Sequence, residues 1–174
     1  NIAAKYFKDW LRAVSVWGQI TRRKEFDPDI DSVNIAIVLK ARPVEYYIAR
    51  SKVEFDYSRA LKYRVTCEIL STDQFKERYM DGYAPEVLAV HDGFYAYGGD
   101  FFEKLRGIGY KCSENAVRFS LETAFVSLGM AINDLIHRDY DISIANFYNA
   151  VTYASFSVPQ KKINIVPKTL DEAQ

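Results

Sequence analysis

Apolar and polar positions change period several times along the chain. Phe7, Trp10 and Leu11 recur at helical spacing with charges between them, which predicts a helix over 3–13. Val14-Ser15-Val16-Trp17 is short, β-prone and stops at Gly18, so it reads as a strand entering a tight turn. Polar residues dominate from Gln19 to Asp31 and predict a loop. The segment VNIAIVL, 33–39, is almost wholly apolar, the pattern of a strand covered on both faces. Pro43 can open a helix, and Val44, Tyr47 and Ile48 follow at helical spacing. That predicts a helix to about residue 58, although Val53, Phe55 and Tyr57 also alternate as in a strand.

YRVTCEIL, 63–70, reads as a strand, and Thr72-Asp73 as the cap of a short helix containing Phe75 and Tyr79. A second short helix is expected over 84–90 and an edge strand over 94–97. Asp100 is placed to cap a helix starting at Phe101. Beyond Gly107 and Gly109 the pattern turns helical for two long stretches. Ser113 can cap a helix over 114–137, whose Val117, Leu121, Ala124, Leu128, Ala131 and Leu135 share one face. Residues 138–141 form a turn. A second helix, 142–157, carries a small-residue stripe at Ala145, Tyr148, Val151 and Ala154. Pro159 is expected to stop it, leaving 159–174 as an extended tail. The expected organisation is a mixed α/β domain over 1–110, a helical hairpin over 111–158 and the tail.

Composition narrows the function classes. The 174 residues carry 23 Lys and Arg against 23 Asp and Glu, so no overall charge draws the chain to nucleic acid or an anionic membrane. No uninterrupted apolar run reaches the length of a membrane helix, and no membrane role is expected. Two well-separated cysteines, Cys67 and Cys112, in a chain without a leader pattern read as reduced thiols of a cytoplasmic protein. Thirteen Tyr and eleven Phe are enough to fill a core and its rim, so they do not by themselves indicate base stacking. A glycine-rich phosphate loop, clustered Cys and His, and a G-x-S-x-G serine are all missing.

One order of features stands out: a strand ending in Gly18, a loop with Arg22 and Arg23, the acids Asp29 and Asp31, and the buried strand IAIVL. With TCEILSTDQFKE and PEVLAVHDGFYAYGGDFFEKL downstream, this resembles the minimal nucleotidyltransferase domains of the DNA polymerase β superfamily. The helical segment MAINDLIHRDYDISIANFYNAVTYASFSV resembles the HEPN domains that often accompany them. The resemblance spans nearly the whole chain. It implies an α/β (α+β) fold, a nucleotidyltransferase-like mixed sheet with flanking helices followed by the helical hairpin.

The family's chemistry uses two Mg²⁺ ions on paired strand carboxylates and a third acid from a later strand. Acids two residues apart on a strand face the same way. In this chain Gly18 matches, the serine slot holds Gln19, and Arg22 fits the phosphate-facing arginine with Arg23 beside it. Aligning the apolar strand puts the acid slots on Ser32 and Asn34; aligning the acids puts them on Asp29 and Asp31. The third slot falls on Thr66, with Glu68 on the same face. The resemblance with degenerate motifs implies an interaction or nucleotide-binding scaffold, with no cofactor expected. Nucleotide contacts would come from Gly18, Gln19, Arg22, Arg23, Ser32 and Asn34. The alternative is a Mg²⁺-dependent transferase of nucleotidyl groups, with Asp29, Asp31 and Glu68 catalytic and Asp29 and Asp31 on the metal. Active HEPN proteins carry an Arg four to six residues before a His; neither His91 nor His137 has one, so ribonuclease action is not expected. The expected partners are a second copy or another protein at the C-terminal helices and a nucleoside triphosphate, with nucleic acid left open.

Overall fold

In the computed structural model, residues 2–22, 32–41 and 46–167 are described. The elements are α1 (Ile2–Phe7), a 3-10 turn (Lys8–Trp10), β1 (Leu11–Trp17), α2 (Gln19–Arg22), β2 (Val33–Leu39), α3 (Tyr46–Leu61), β3 (Val65–Ser71) and α4 (Thr72–Met80). They continue with α5 (Ala84–His91), β4 (Phe94–Tyr97), α6 (Gly99–Ile108), α7 (Glu114–Ile136) and α8 (Tyr140–Ile163). The four strands form one mixed sheet in the order β3-β2-β1-β4. β1 is antiparallel to β2 and β4, and β2 is parallel to β3. A parallel pair needs a crossover, and α3 supplies it. The expected fold class, a mixed sheet with flanking helices followed by a helical hairpin, is the one observed.

The chain divides into two compact units, Asn1–Glu77 with Leu88–Gly109, and Arg78–Val87 with Tyr110–Gln174. In the first unit β2 lies between β1 and β3, and Ile35, Ala36, Ile37, Val38 and Leu39 are all buried, as an apolar strand covered on both faces must be. One sheet face, with Val14, Ile35, Ile37, Cys67 and Ile69, packs on Phe7 of α1 and Val53 of α3. Tyr6 Oη donates to Asp56 at 2.7 Å and ties α1 to α3. On the opposite face Ser15 Oγ donates to Ala89 O at 2.7 Å, beside a cluster in which Phe75 meets Phe101 and Phe102 edge-on.

Three local expectations change. The helix predicted over 3–13 ends at Phe7, and Leu11 opens β1 instead. Lys8 takes a positive φ of 40°, and Leu11 and Ala13 pair with Leu39 and Val38, so strand pairing outweighs the helical spacing. The cap of α4 is Ser71, not Thr72-Asp73. Gln74 N donates to Ser71 Oγ while Ser71 N donates back to Gln74 Oε1, a reciprocal capping box. Asp100 is not the N-cap: α6 begins at Gly99 after Gly98, and Asp100, in its first turn, pairs with Arg12 Nη2 at 2.7 Å, a hydrogen bond that holds its carboxyl below the usual range.

In the second unit α7 and α8 pack as an antiparallel hairpin. Ser113 Oγ accepts from Ala116 N and caps α7 as expected. The helix α8 runs through Pro159 to Ile163 rather than stopping. A proline inside a helix costs about 3 kcal/mol, and tertiary contacts offset it. Gln160, fully buried, donates from Nε2 to Gly82 O at 3.1 Å and accepts from Ser120 Oγ at 2.8 Å. Asn164, in the left-handed region, closes the helix, and Val166 N donates to Tyr110 Oη. The predicted tail is therefore partly helix and partly held down as far as Val166. The faces also differ from expectation: Ala124 and Ala131 are buried, while Leu121, Leu128 and Leu135 are exposed. On α8 Ala145 is buried, but Val151 and Ala154 are exposed. By length and composition α7 is long and apolar enough to cross a membrane. Scattered charges at Arg118, Glu122 and Asp134 kept it from showing as an uninterrupted apolar run.

Candidate functional site

β1 ends at Trp17, and Gly18 turns the chain into the single turn of α2. Gly18 has φ 107°, a left-handed conformation that side chains other than glycine resist. A Cβ there would lie 2.7 Å from Asn34 Nδ2, so the tight approach of the turn to β2 also requires glycine. Thr21 locks the turn: its N–H donates to Gly18 O at 3.1 Å and its Oγ1 at 2.8 Å.

The sheet register gathers the strand positions singled out above. Trp17 pairs with Asn34, and Asn34 with Thr66, in one row across β1, β2 and β3. Ser32 lies just before β2, with its carbonyl oxygen 3.6 Å from the same ideal Cβ at Gly18. Glu68 is two residues past Thr66, opposite Ala36, and points to the same side by strand alternation. Gly18, Ser32, Asn34 and Thr66 thus share one end of the sheet, with Glu68 one row further in. Asn34 and Glu68 are half-buried and Thr66 is exposed. The indole N–H of Trp17 is buried and has no acceptor among the described residues.

Gln19 and Arg22 belong to α2, but their side chains are outside what the structure describes; Arg23, Asp29 and Asp31 lie outside the described residues altogether. Among the described residues no group of three His, Cys, Asp or Glu is arranged to hold a metal ion. Ser32, Asn34 and Thr66 are neutral, and Glu68 is the one carboxylate in their row and the next. Mg²⁺ demands hard anionic oxygens to offset its dehydration, so the described residues do not fit a two-metal centre.

The opposite side of the same turn holds a feature the sequence reading missed. Val16, which alternates with Trp17, lines an open cavity of about 550 Å³ with Ile20, Thr21, Asp92, Gly93 and Phe94. The β1–β4 pairing, Val16 with Phe94, builds it. Nothing in the local sequence marks it, because its walls come from two segments joined only by the sheet. Phe94 is 68% exposed at its rim, an aromatic face open to a ligand.

The thiols are inert by environment. Burial pushes Cys67 up to about 12 and Cys112 up to about 11. Both are free and neither is a nucleophile near neutral pH.

No protein family and no curated protein matches the chain. Among solved structures the chain is similar to two mutant forms of the toxin–antitoxin MntA-HpeT. One has 15% identity over 61% of this chain and 80% of that chain, at a TM-score of 0.41. The other has 13% identity over 61% and 79%, at a TM-score of 0.36.

Proposed function

We propose that this chain is a nucleotidyltransferase-like protein without the two-metal step, acting as an interaction scaffold that retains a nucleotide-binding turn. The observation that carries the reading is the row Trp17-Asn34-Thr66 beside Gly18. Gly18 makes a left-handed turn against Asn34 of β2, and neutral amide and hydroxyl groups stand where the resemblance would put carboxylates. Such groups donate hydrogen bonds to phosphate or base oxygens without a dication. The buried indole N–H of Trp17 is a further donor for a ligand oxygen. Arg22 and Arg23 follow the turn in sequence, and guanidinium groups fork onto phosphate without a metal.

The test is calorimetry with ATP and GTP, with and without Mg²⁺, together with a transfer assay using labelled nucleotide. The expected result is weak binding that does not require Mg²⁺, is lost in the Arg22→Ala, Arg23→Ala variant, and is accompanied by no transfer. Mg²⁺-dependent transfer abolished by Asp29→Asn, Asp31→Asn or Glu68→Gln would instead establish the transferase reading and overturn this one.

A further inference from the structure

Apart from the buried Phe156, the buried residues of α7 and α8 are mostly small or polar, and many of their large apolar residues are exposed. The inner seam on α7 is Ser120, Ala124 and Ala131; on α8 it is Ser143, Asn146, Ala150, Ser157 and Gln160. Ser143 Oγ donates to Ala131 O at 2.8 Å and Asn146 Nδ2 to Asp134 Oδ2 at 2.7 Å. Small side chains let the helices approach closely but bury little apolar area. Each helix carries a second seam. On α7 it is Leu121, Phe125, Leu128, Ile132 and Leu135; on α8 it is Tyr140, Ile144, Phe147, Val151, Ala154 and Val158. Both follow the alternating four-and-three spacing of a coiled-coil seam. The large residues in them are between 36% and 70% exposed.

The two outer seams form one face. Each is displaced by one residue from its inner seam, Ser120 to Leu121 and Ser143 to Ile144, about 100° further round the helix. Because the helices are antiparallel, the same displacement in the chain sense carries both to the same side of the hairpin. Neither seam contains a charged residue.

We propose that this face is the interface between two copies of the chain, whose hairpins close as a two-fold four-helix bundle. The inference rests on the scaffold reading above and names its partner. With about half of each large side chain exposed, the seams offer on the order of 1,000 Å² of apolar surface per copy. That is comparable to the roughly 800 Å² that each partner buries in a standard stable interface. A face of two antiparallel seams is self-complementary under a two-fold rotation, as an isologous dimer requires. The absence of charge removes the like-charge repulsion that opposes self-association. Lipid fits less well. Arg118, Glu122 and Asn133 interrupt the remaining arc of α7 among the exposed Val126, Met130 and Ile136, and Asp134, Asn146 and Gln160 lie in or beside the inner seam.

Sedimentation equilibrium from micromolar to hundreds of micromolar protein tests this, on the full chain and on Phe125→Asp with Phe147→Asp. Wild type is expected as a dimer and the double variant as a monomer, with association weakened more than about 100-fold. Circular dichroism checks that the variant keeps its helices; Ile132→Glu, read the same way, serves if it does not. A monomeric wild type throughout the range would overturn the proposal, as would a dimer indifferent to both variants. Flotation of a monomeric wild type with phosphatidylcholine vesicles would overturn it in favour of a bilayer. Mg²⁺-dependent transfer would defeat the scaffold reading alone, so the two failures are distinguishable.

Discussion

Glu86 shows at the scale of one residue what burial does to a charge. It is fully buried, and Arg78 Nε lies 2.9 Å from its Oε1. Arg78 also stacks over the rings of Tyr83 and Phe119, 4.8 and 5.2 Å from their centroids. Removing one partner of a buried pair leaves the other charge uncompensated. Glu86→Ala is therefore expected to cost about 3–5 kcal/mol, whereas replacing both residues by Met should recover most of the loss. Urea denaturation of the two variants checks this. The cysteines give a second expectation at this scale. With Cys67 pushed up to about 12 by burial, the folded protein keeps its thiol protonated where the unfolded chain, with an ordinary value of 9.0, ionises. The unfolded state thus binds fewer protons above pH 9, so the Cys67 contribution leaves stability unchanged below that pH and lowers it between pH 9 and about 12. A thiolate-selective reagent at pH 8 is expected to label Cys67 only after denaturant is added, and prompt labelling in native buffer would contradict its burial.

Turns and caps decide where the elements begin and end. Gly82, in the link between α4 and α5, has φ 77°, and a Cβ there would meet Cys112 Cα at 2.7 Å. Gly82→Ala should lose at least about 1–2 kcal/mol from the left-handed backbone alone, with the overlap adding to it. Ser71→Ala, which breaks the reciprocal cap of α4, should lose about 0.5–2 kcal/mol. Thermal melts rank the two, and a neutral Gly82→Ala would contradict both the left-handed backbone cost and the overlap with Cys112. The sequence named the cap region of α4 but chose the wrong residue. Ser71, Thr72 and Asp73 are all cap formers, and only the return bond from Gln74 selects Ser71. Likewise Pro159 is a helix stop by its own chemistry, and only Gln160, bonded to Ser120 and Gly82, shows why α8 continues.

Across the molecule the sheet unit carries the candidate site and the hairpin unit carries the candidate interface, and each has its own expectation. At the site, Asn34→Asp with Thr66→Asp introduces carboxylates into the row beside Gly18. The double variant is expected to bind Mn²⁺ at least tenfold more tightly than wild type in a metal titration. Equal affinities would mean that this row is not where a dication sits. For the hairpin, dimerisation adds concentration-dependent stability, so the melting temperature of wild type should rise with protein concentration while that of the Phe125→Asp, Phe147→Asp variant should not.

The sequence by itself determined the element types wherever the pattern was long or wholly apolar. VNIAIVL has the pattern of a central strand, and Ser113 followed by about five turns of apolar spacing that of a capped helix. It also marked Gly18 as a turn. Tertiary structure decided what depended on partners far away in the chain. Leu11 became strand because Leu39 lies across from it. Val16 and Phe94 became two walls of one cavity because β4 pairs with β1. The buried face of α7 became Ser120, Ala124 and Ala131 rather than Leu121, Phe125 and Ile132 one residue on. Spacing says that a helix has an apolar face, but two seams one residue apart satisfy the same period. Which one lies inside the hairpin is settled by the small side chains and buried hydrogen bonds that let two helices close on each other.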